Sequence, residues 1–134
     1  MIDIIDEVCD IIEAEIQNIK LVVGAMPPLN GIGIQQSSGS VLSEYLPRTA
    51  LHRTTLVINS KNSDQKTALQ NLVDIHLVLT KRIGYQSTED WQITNIRTVN
   101  APDFLGQEND EAYMYGSAVE VLWYDKIKAE DTPL

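Results

Sequence analysis

The sequence predicts an α+β domain in the order α-β-β-α-β-β, with a four-stranded, largely antiparallel sheet and both helices on one face. Three observations carry this expectation. Two segments repeat apolar residues every three or four positions, one near the N-terminus and one after residue 63. Four shorter segments are β-branched or alternate in polarity. Clusters of Pro, Gly, Ser and Asn separate them. A chain of 134 residues fits one domain, expected over 1–125 with a flexible tail over 126–134. At that length about two-thirds of the unfolded surface can be buried.

The first helix is read from Ile5, Val8, Ile12, Ile16 and Ile19, with Asp3, Glu7, Asp10, Glu13 and Gln17 mostly opposite. Acids at its start and Lys20 at its end suit the helix dipole. A strand would need a period of two, which Asp6-Glu7 and Ile11-Ile12 break. Leu21 to Gly24 is a short apolar piece, and Met26-Pro27-Pro28-Leu29-Asn30-Gly31 forces a turn or extended loop. Ile32, Ile34 and Gln36 then share one face of a short strand that Ser37-Ser38-Gly39-Ser40 interrupts. Val41 to Arg53 has mixed polarity and no clear period, so it is either a long loop or a projecting hairpin arm.

Thr54 to Ile58 is a β-branched strand that stops at Asn59-Ser60-Lys61-Asn62. Ser63 or Asp64 can cap the second helix, whose stripe runs through Ala68, Leu69, Leu72, Ile75, His76, Leu79 and Ile83, with Gly84 placed to end it. Trp91 to Val99 and Tyr113 to Tyr124 form the closing hairpin, with Tyr113, Tyr115, Val119, Val121 and Trp123 on one face. Ile93 and Ile96 are out of phase by one, which implies a bulge or strong twist. Between these strands Ala101 to Ala112 reads as a long polar loop.

Composition excludes several classes. Cys9 is alone, so no internal disulfide can form, and no zinc site of four cysteines or of two cysteines and two histidines. No apolar run approaches the ~20 residues of a transmembrane helix, and acids stand where a signal peptide would carry basic residues. The net charge of −9 is unevenly spread. Residues 1–20 hold six acids and one Lys, residues 21–99 five acids and seven basic residues, and residues 100–134 eight acids and two Lys. This distribution lacks the basic stripe of a nucleic-acid binder. It can support head-to-tail contacts between copies, acidic patch to basic patch, or simply keep the surface solvated.

No enzyme assembles from these residues. His52 falls in the middle segment and His76 on an apolar stripe, and neither has a recognisable nucleophile or carboxylate partner. Cys9 lies in an Ile-rich helix beside Asp10, which suits a small core residue better than a nucleophile. Gly31-Ile32-Gly33 lacks the third glycine and the following helix of a dinucleotide fingerprint. Asp103, Glu108, Asp110 and Glu111 lack calcium-loop spacing and read as a solvated acidic loop. Trp91 and Trp123 suit the core or a partner contact.

The acidic first helix ending before a Pro-rich turn and the short strand followed by Gly39 form one part of a pattern. Arg53 leading into TTLVINSKNSDQKTALQNLVDIHLVLTK, then WQITNIRTV, Ala101-Pro102-Asp103-Phe104-Leu105-Gly106 and YMYGSAVEVLWY, complete it. Over residues 1 to about 125 this pattern resembles the tail terminator and minor capsid proteins of long-tailed bacteriophages. The resemblance implies a structural virion protein without catalysis or cofactor. It would form a ring, usually of six copies, on the last ring of tail-tube protein at the head-proximal end of the tail, and present a surface to a head-side connector. A head-completion or other neck protein is the alternative within the particle, and a small-molecule binding module or enzyme the alternative outside it. Candidate interface residues are Glu44, Tyr45, Arg48 and Arg53, which suit polar contact across a ring or tube. Asp103, Glu108, Asp110 and Glu111 would suit a basic partner.

Overall fold

The computed structural model describes residues 4–17, 19–24, 26–45, 49–81, 85, 91–109 and 111–126. The elements run α1 (Ile4–Glu15), β1 (Lys20–Val23), β2 (Gly31–Tyr45), β3 (Thr49–Asn62), α2 (Gln65–Thr80), β4 (Trp91–Glu108) and β5 (Ala112–Lys126). The architecture is α+β, but the sheet is five-stranded and mixed, in the order β1-β2-β3-β5-β4. This corrects the expected four-stranded, largely antiparallel sheet. The added strand is β1, which pairs parallel to β2 from Lys20↔Gly31 to Val23↔Ile34, while the other neighbours are antiparallel.

Parallel neighbours usually need a crossover of a dozen residues or more. Here residues 24–30 suffice, because the chain doubles back sharply. The Gly24 amide donates to the Ile34 carbonyl at 2.8 Å, the Gly31 amide donates to the Pro28 carbonyl at 3.0 Å, and Asn30 takes φ 58°. The turn lies directly on β2. A Cβ on Gly31 would stand 2.5 Å from Pro28 Cγ, and one on Gly33 would stand 3.0 Å from the Gly24 carbonyl oxygen. The glycine pair therefore admits the proline turn against the strand.

Leucines, isoleucines and valines of both helices and four strands form one core. Val8 and Ile12 of α1, Leu72, Ile75 and Leu79 of α2, Ile32 and Ile34 of β2, and Leu56 and Ile58 of β3 are fully buried in it. Val119 and Val121 of β5 join them, as does Ile96 of β4. Strand alternation puts these sheet residues on one face, and both helices pack there. Helix α1 ends at Glu15, earlier than its apolar stripe suggested, so Ile19 lies beyond it and Lys20 opens β1 instead of closing the helix. Asp64 caps α2, accepting from the Thr67 amide at 3.0 Å and its hydroxyl at 2.6 Å. The helix stops at Thr80, and Ile83 and Gly84 lie outside the described residues.

Of the two alternatives for Val41 to Arg53 the structure takes the projecting hairpin arm, while the loop expected over Ala101 to Ala112 is largely strand. The Ser37–Arg53 segment is mostly the arm of the β2–β3 hairpin, with register shifts between Gln36 and Ser38 and between Val41 and Ser43. Ala101 to Glu108 continues β4, leaving a short turn before β5. Pro102 is compatible with this because β4 is an edge strand and the ladder skips from Asn100 to Asp103 around it. The expected irregularity near Ile93 is present as a register shift between Ile93 and Asn95. Residues 127–134, the rest of the expected tail, lie outside the described residues.

Candidate functional site

The helix-free face of the sheet carries the other alternation set, including Arg53, Val57, Asn59 and Lys61 of β3 and Gly116, Ala118 and Glu120 of β5. Glu120 is buried at 6% exposure, and two arginines from the flanking strands hold it. Arg97 of β4, directly opposite, donates from Nε to Oε1 at 3.0 Å. Arg53 of β3 places a terminal nitrogen 3.6 Å from Oε2. One carboxylate thus ties three strands together and offsets part of the basic charge of the middle segment. Nearer the β4–β5 turn, Lys61 Nζ sits 3.1 Å from Glu108 Oε2 and donates to Oε1 at 3.3 Å.

Along the same face, beside the irregular part of β4, lies a groove of about 770 Å³. Val57, Gly116 and Ala118 line it together with Val99, Pro102 and Leu105 of β4. Leu105 leans over the bare backbone of Gly116, where a Cβ would meet its methyl carbons at 2.9 and 3.3 Å. Val99, Phe104 and Leu105 are exposed at 41%, 47% and 58%. The groove carries apolar surface and one exposed carboxylate, Asp103, whose Oδ1 accepts from the Phe104 amide at 3.0 Å.

The candidate residues from the sequence fall into separate places. Glu44 and Tyr45 lie at the far end of the β2–β3 hairpin, opposite Ala50 and Thr49, and Arg48 lies outside the described residues. Arg53 is a strand residue bound to Glu120. Glu108 and Glu111 bracket the β4–β5 turn at the opposite end of the sheet, with the Glu111 amide donating to the Glu108 carbonyl at 2.9 Å. Asp103 is in β4 opposite Gly116, and Asp110 lies outside the described residues. The tip residues Glu44 and Tyr45 and the turn residues Glu108 and Glu111 therefore stand at opposite ends of β3, ~40 Å apart for its 14 residues, with Arg53 and Asp103 between them. Of the groove residues only those of the candidate segment, Asp103 among them, were singled out from the sequence, whereas Glu120, Arg97 and the β3 and β5 residues of the groove were not. An acid inside the apolar run Val119-Glu120-Val121 was their available signal, but its partners depend on strand register.

The histidines belong to packing. His76 is 6% exposed on the core side of α2, with Nδ1 2.7 Å from Thr98 Oγ1, and burial pushes its pKa below the ordinary histidine value. His52 lies in β3, not in a loop, and stacks on Trp123 at 4.1 Å. Cys9 is buried in α1. Among the described residues no group of three or more His, Cys, Asp or Glu is placed to hold a metal ion. No described helix is long and apolar enough to cross a membrane.

No protein-family model matches the chain, and no curated protein sequence matches it. Among solved structures, a chain from the "Virion of native gene transfer agent (GTA) particle" is similar in fold, with a TM-score of 0.58 at 9% sequence identity. The similarity covers 90% of this chain and 94% of that one. Nearly the whole architecture is therefore shared with a chain of a virion particle.

Proposed function

We propose that the protein is a structural component of a phage virion, a tail terminator that forms a ring at the head-proximal end of the tail tube, stops tube growth and joins the tail to the head. The observation that carries this reading is the near full-length fold similarity to a chain of a gene transfer agent virion. The layout of the sheet supports it, because the β2–β3 tip and the β4–β5 turn face opposite ways. A ring of such subunits offers two different surfaces, one to the tail-tube protein and one to a connector on the head side. The role is mechanical, with no cofactor or reaction. Copies meet through heterologous contacts, and six is the expected number.

Localisation in purified particles tests this reading. An epitope-tagged chain imaged by electron microscopy should label the junction between tail and head, and particles lacking the chain should carry overlong or unjoined tails. Label at the portal with tails of normal length would instead assign a head-completion role. Absence from the particle would remove the structural reading. Since residues 41–45 are strand, a deletion of 41–46 would remove one side of a hairpin, so the tip is better probed by Glu44→Lys and Tyr45→Ala. Normal tail length and joining in both variants would remove the tip from the interface.

A further inference from the structure

The geometry points to a specific contact between copies: the Met26–Leu29 turn of one chain seats in the groove beside β4 of the next. This inference rests on the ring reading and names the surfaces that close it.

The turn is built to present apolar side chains. Met26 is 61% exposed and Leu29 54%, although Pro27 between them is buried. Two prolines fix φ, and the Gly24 and Gly31 amides tie both ends to neighbouring carbonyls. Its backbone is clamped onto Gly31 and Gly33 of β2. Such a turn loses little freedom on docking, which removes a main cost of association.

The groove lies at the other edge of the sheet, on the same face and at the same level. One row of partners runs Val22, Gly33, Asn59, Gly116 and Asp103 across all five strands. The turn covers the Gly33 end of this row, and the groove opens around Gly116 and Asp103 at the other. A copy set beside the β4 edge, five strand spacings or about 24 Å away, places its β1 edge and its turn next to the groove of its neighbour. The contact joins two different patches and leaves both free at the ends of any open chain, as a closing ring requires.

Charge complementarity favours a second copy as the occupant. Lys20 opens β1 at the turn edge and Asp103 stands at the groove edge, both exposed, and neither is in an ion pair among the described residues. In the displaced arrangement they approach across the junction while the apolar residues meet beneath them.

Mixing L29C and L105C chains and adding a short bis-maleimide tests the contact. The expected product is a covalent dimer in the mixture, absent from either variant alone and from the parent chain, whose one thiol is buried. Dimers within a single variant would show an isologous contact and overturn the inference. Oligomers on native mass spectrometry without cross-linked product would overturn this contact while leaving the ring. A monomer at every concentration, also without product, would count against both. As a second measurement, Leu105→Glu should keep the parent melting temperature, because the side chain is 58% exposed, yet weaken self-association about tenfold or more. The control Leu77→Glu, at an exposed position on α2, should leave association unchanged. Equal association of the Leu105→Glu and parent chains would overturn the contact.

Discussion

At the residue scale, two buried polar groups make the sharpest expectations. Burial lowers the His76 pKa, so between the unfolded value near 6.5 and the folded value only the unfolded chain takes up a proton. Stability should fall as pH drops through that window and be independent of this group above it. His76→Gln should flatten that part of the curve in urea unfolding measured from pH 7 to pH 5, and an unchanged slope would place the acid sensitivity elsewhere. Glu120 presents the opposite case, a buried acid satisfied by partners that are themselves half-exposed. Glu120→Ala leaves Arg53 and Arg97 facing each other without their shared acceptor and should cost about 1–3 kcal/mol, less than a fully buried ion pair. Arg97→Ala, at 59% side-chain exposure, should cost less than Glu120→Ala in the same denaturation assay, and the reverse order would mean that Glu120 is held chiefly by something else.

Elements differ in how much their own residues specify them. Helix α2 was legible because its stripe, its Asp64 cap and its buried set of Ala68, Leu72, Ile75, His76 and Leu79 all follow from local spacing. Leu72→Ala and Ile12→Ala should each cost about 2–5 kcal/mol by chemical denaturation, since both side chains are fully buried, and under 0.5 kcal/mol at both would contradict the packing. Strand β1 was not legible: four residues carry no period, and their pairing depends on a turn folding back onto glycines that only the structure reveals. The outer half of β2 was legible only as one of two alternatives, and the second half of β4 was hidden, for a related reason. Ser37-Ser38-Gly39-Ser40 and Ala101-Pro102 have turn chemistry, but each sits where the sheet tolerates irregular pairing. The β2 stretch lies beyond the reach of β1, and the β4 stretch is on an edge. The candidate site was legible only as scattered charges, since the Glu120 cluster and the groove are products of register.

For the whole molecule, the charge map needs reading with the sheet in place. The basic middle looked available to meet the acidic ends of another copy, but Arg53 and Arg97 engage Glu120, and Lys61 engages Glu108. Self-association should therefore weaken only modestly as salt rises past the ~10 Å screening length of 0.1 M, because an apolar contact is not screened. Sedimentation at low and high salt measures this, and loss of the oligomer on adding salt would restore charge pairing as the dominant force. The order of strands also governs how the chain reaches its fold. Hairpins β2–β3 and β4–β5 join neighbours in sequence, whereas β3 and β5 pair across α2 and β4, with the Ser117 hydroxyl bonded to the Ile58 carbonyl 59 residues away. Two locally closed hairpins must dock along the β3–β5 seam, and this non-local pairing should slow folding relative to a chain of local contacts. In the terminator role proposed above, a subunit that matures slowly would give the polymer beneath it time to lengthen before it is capped.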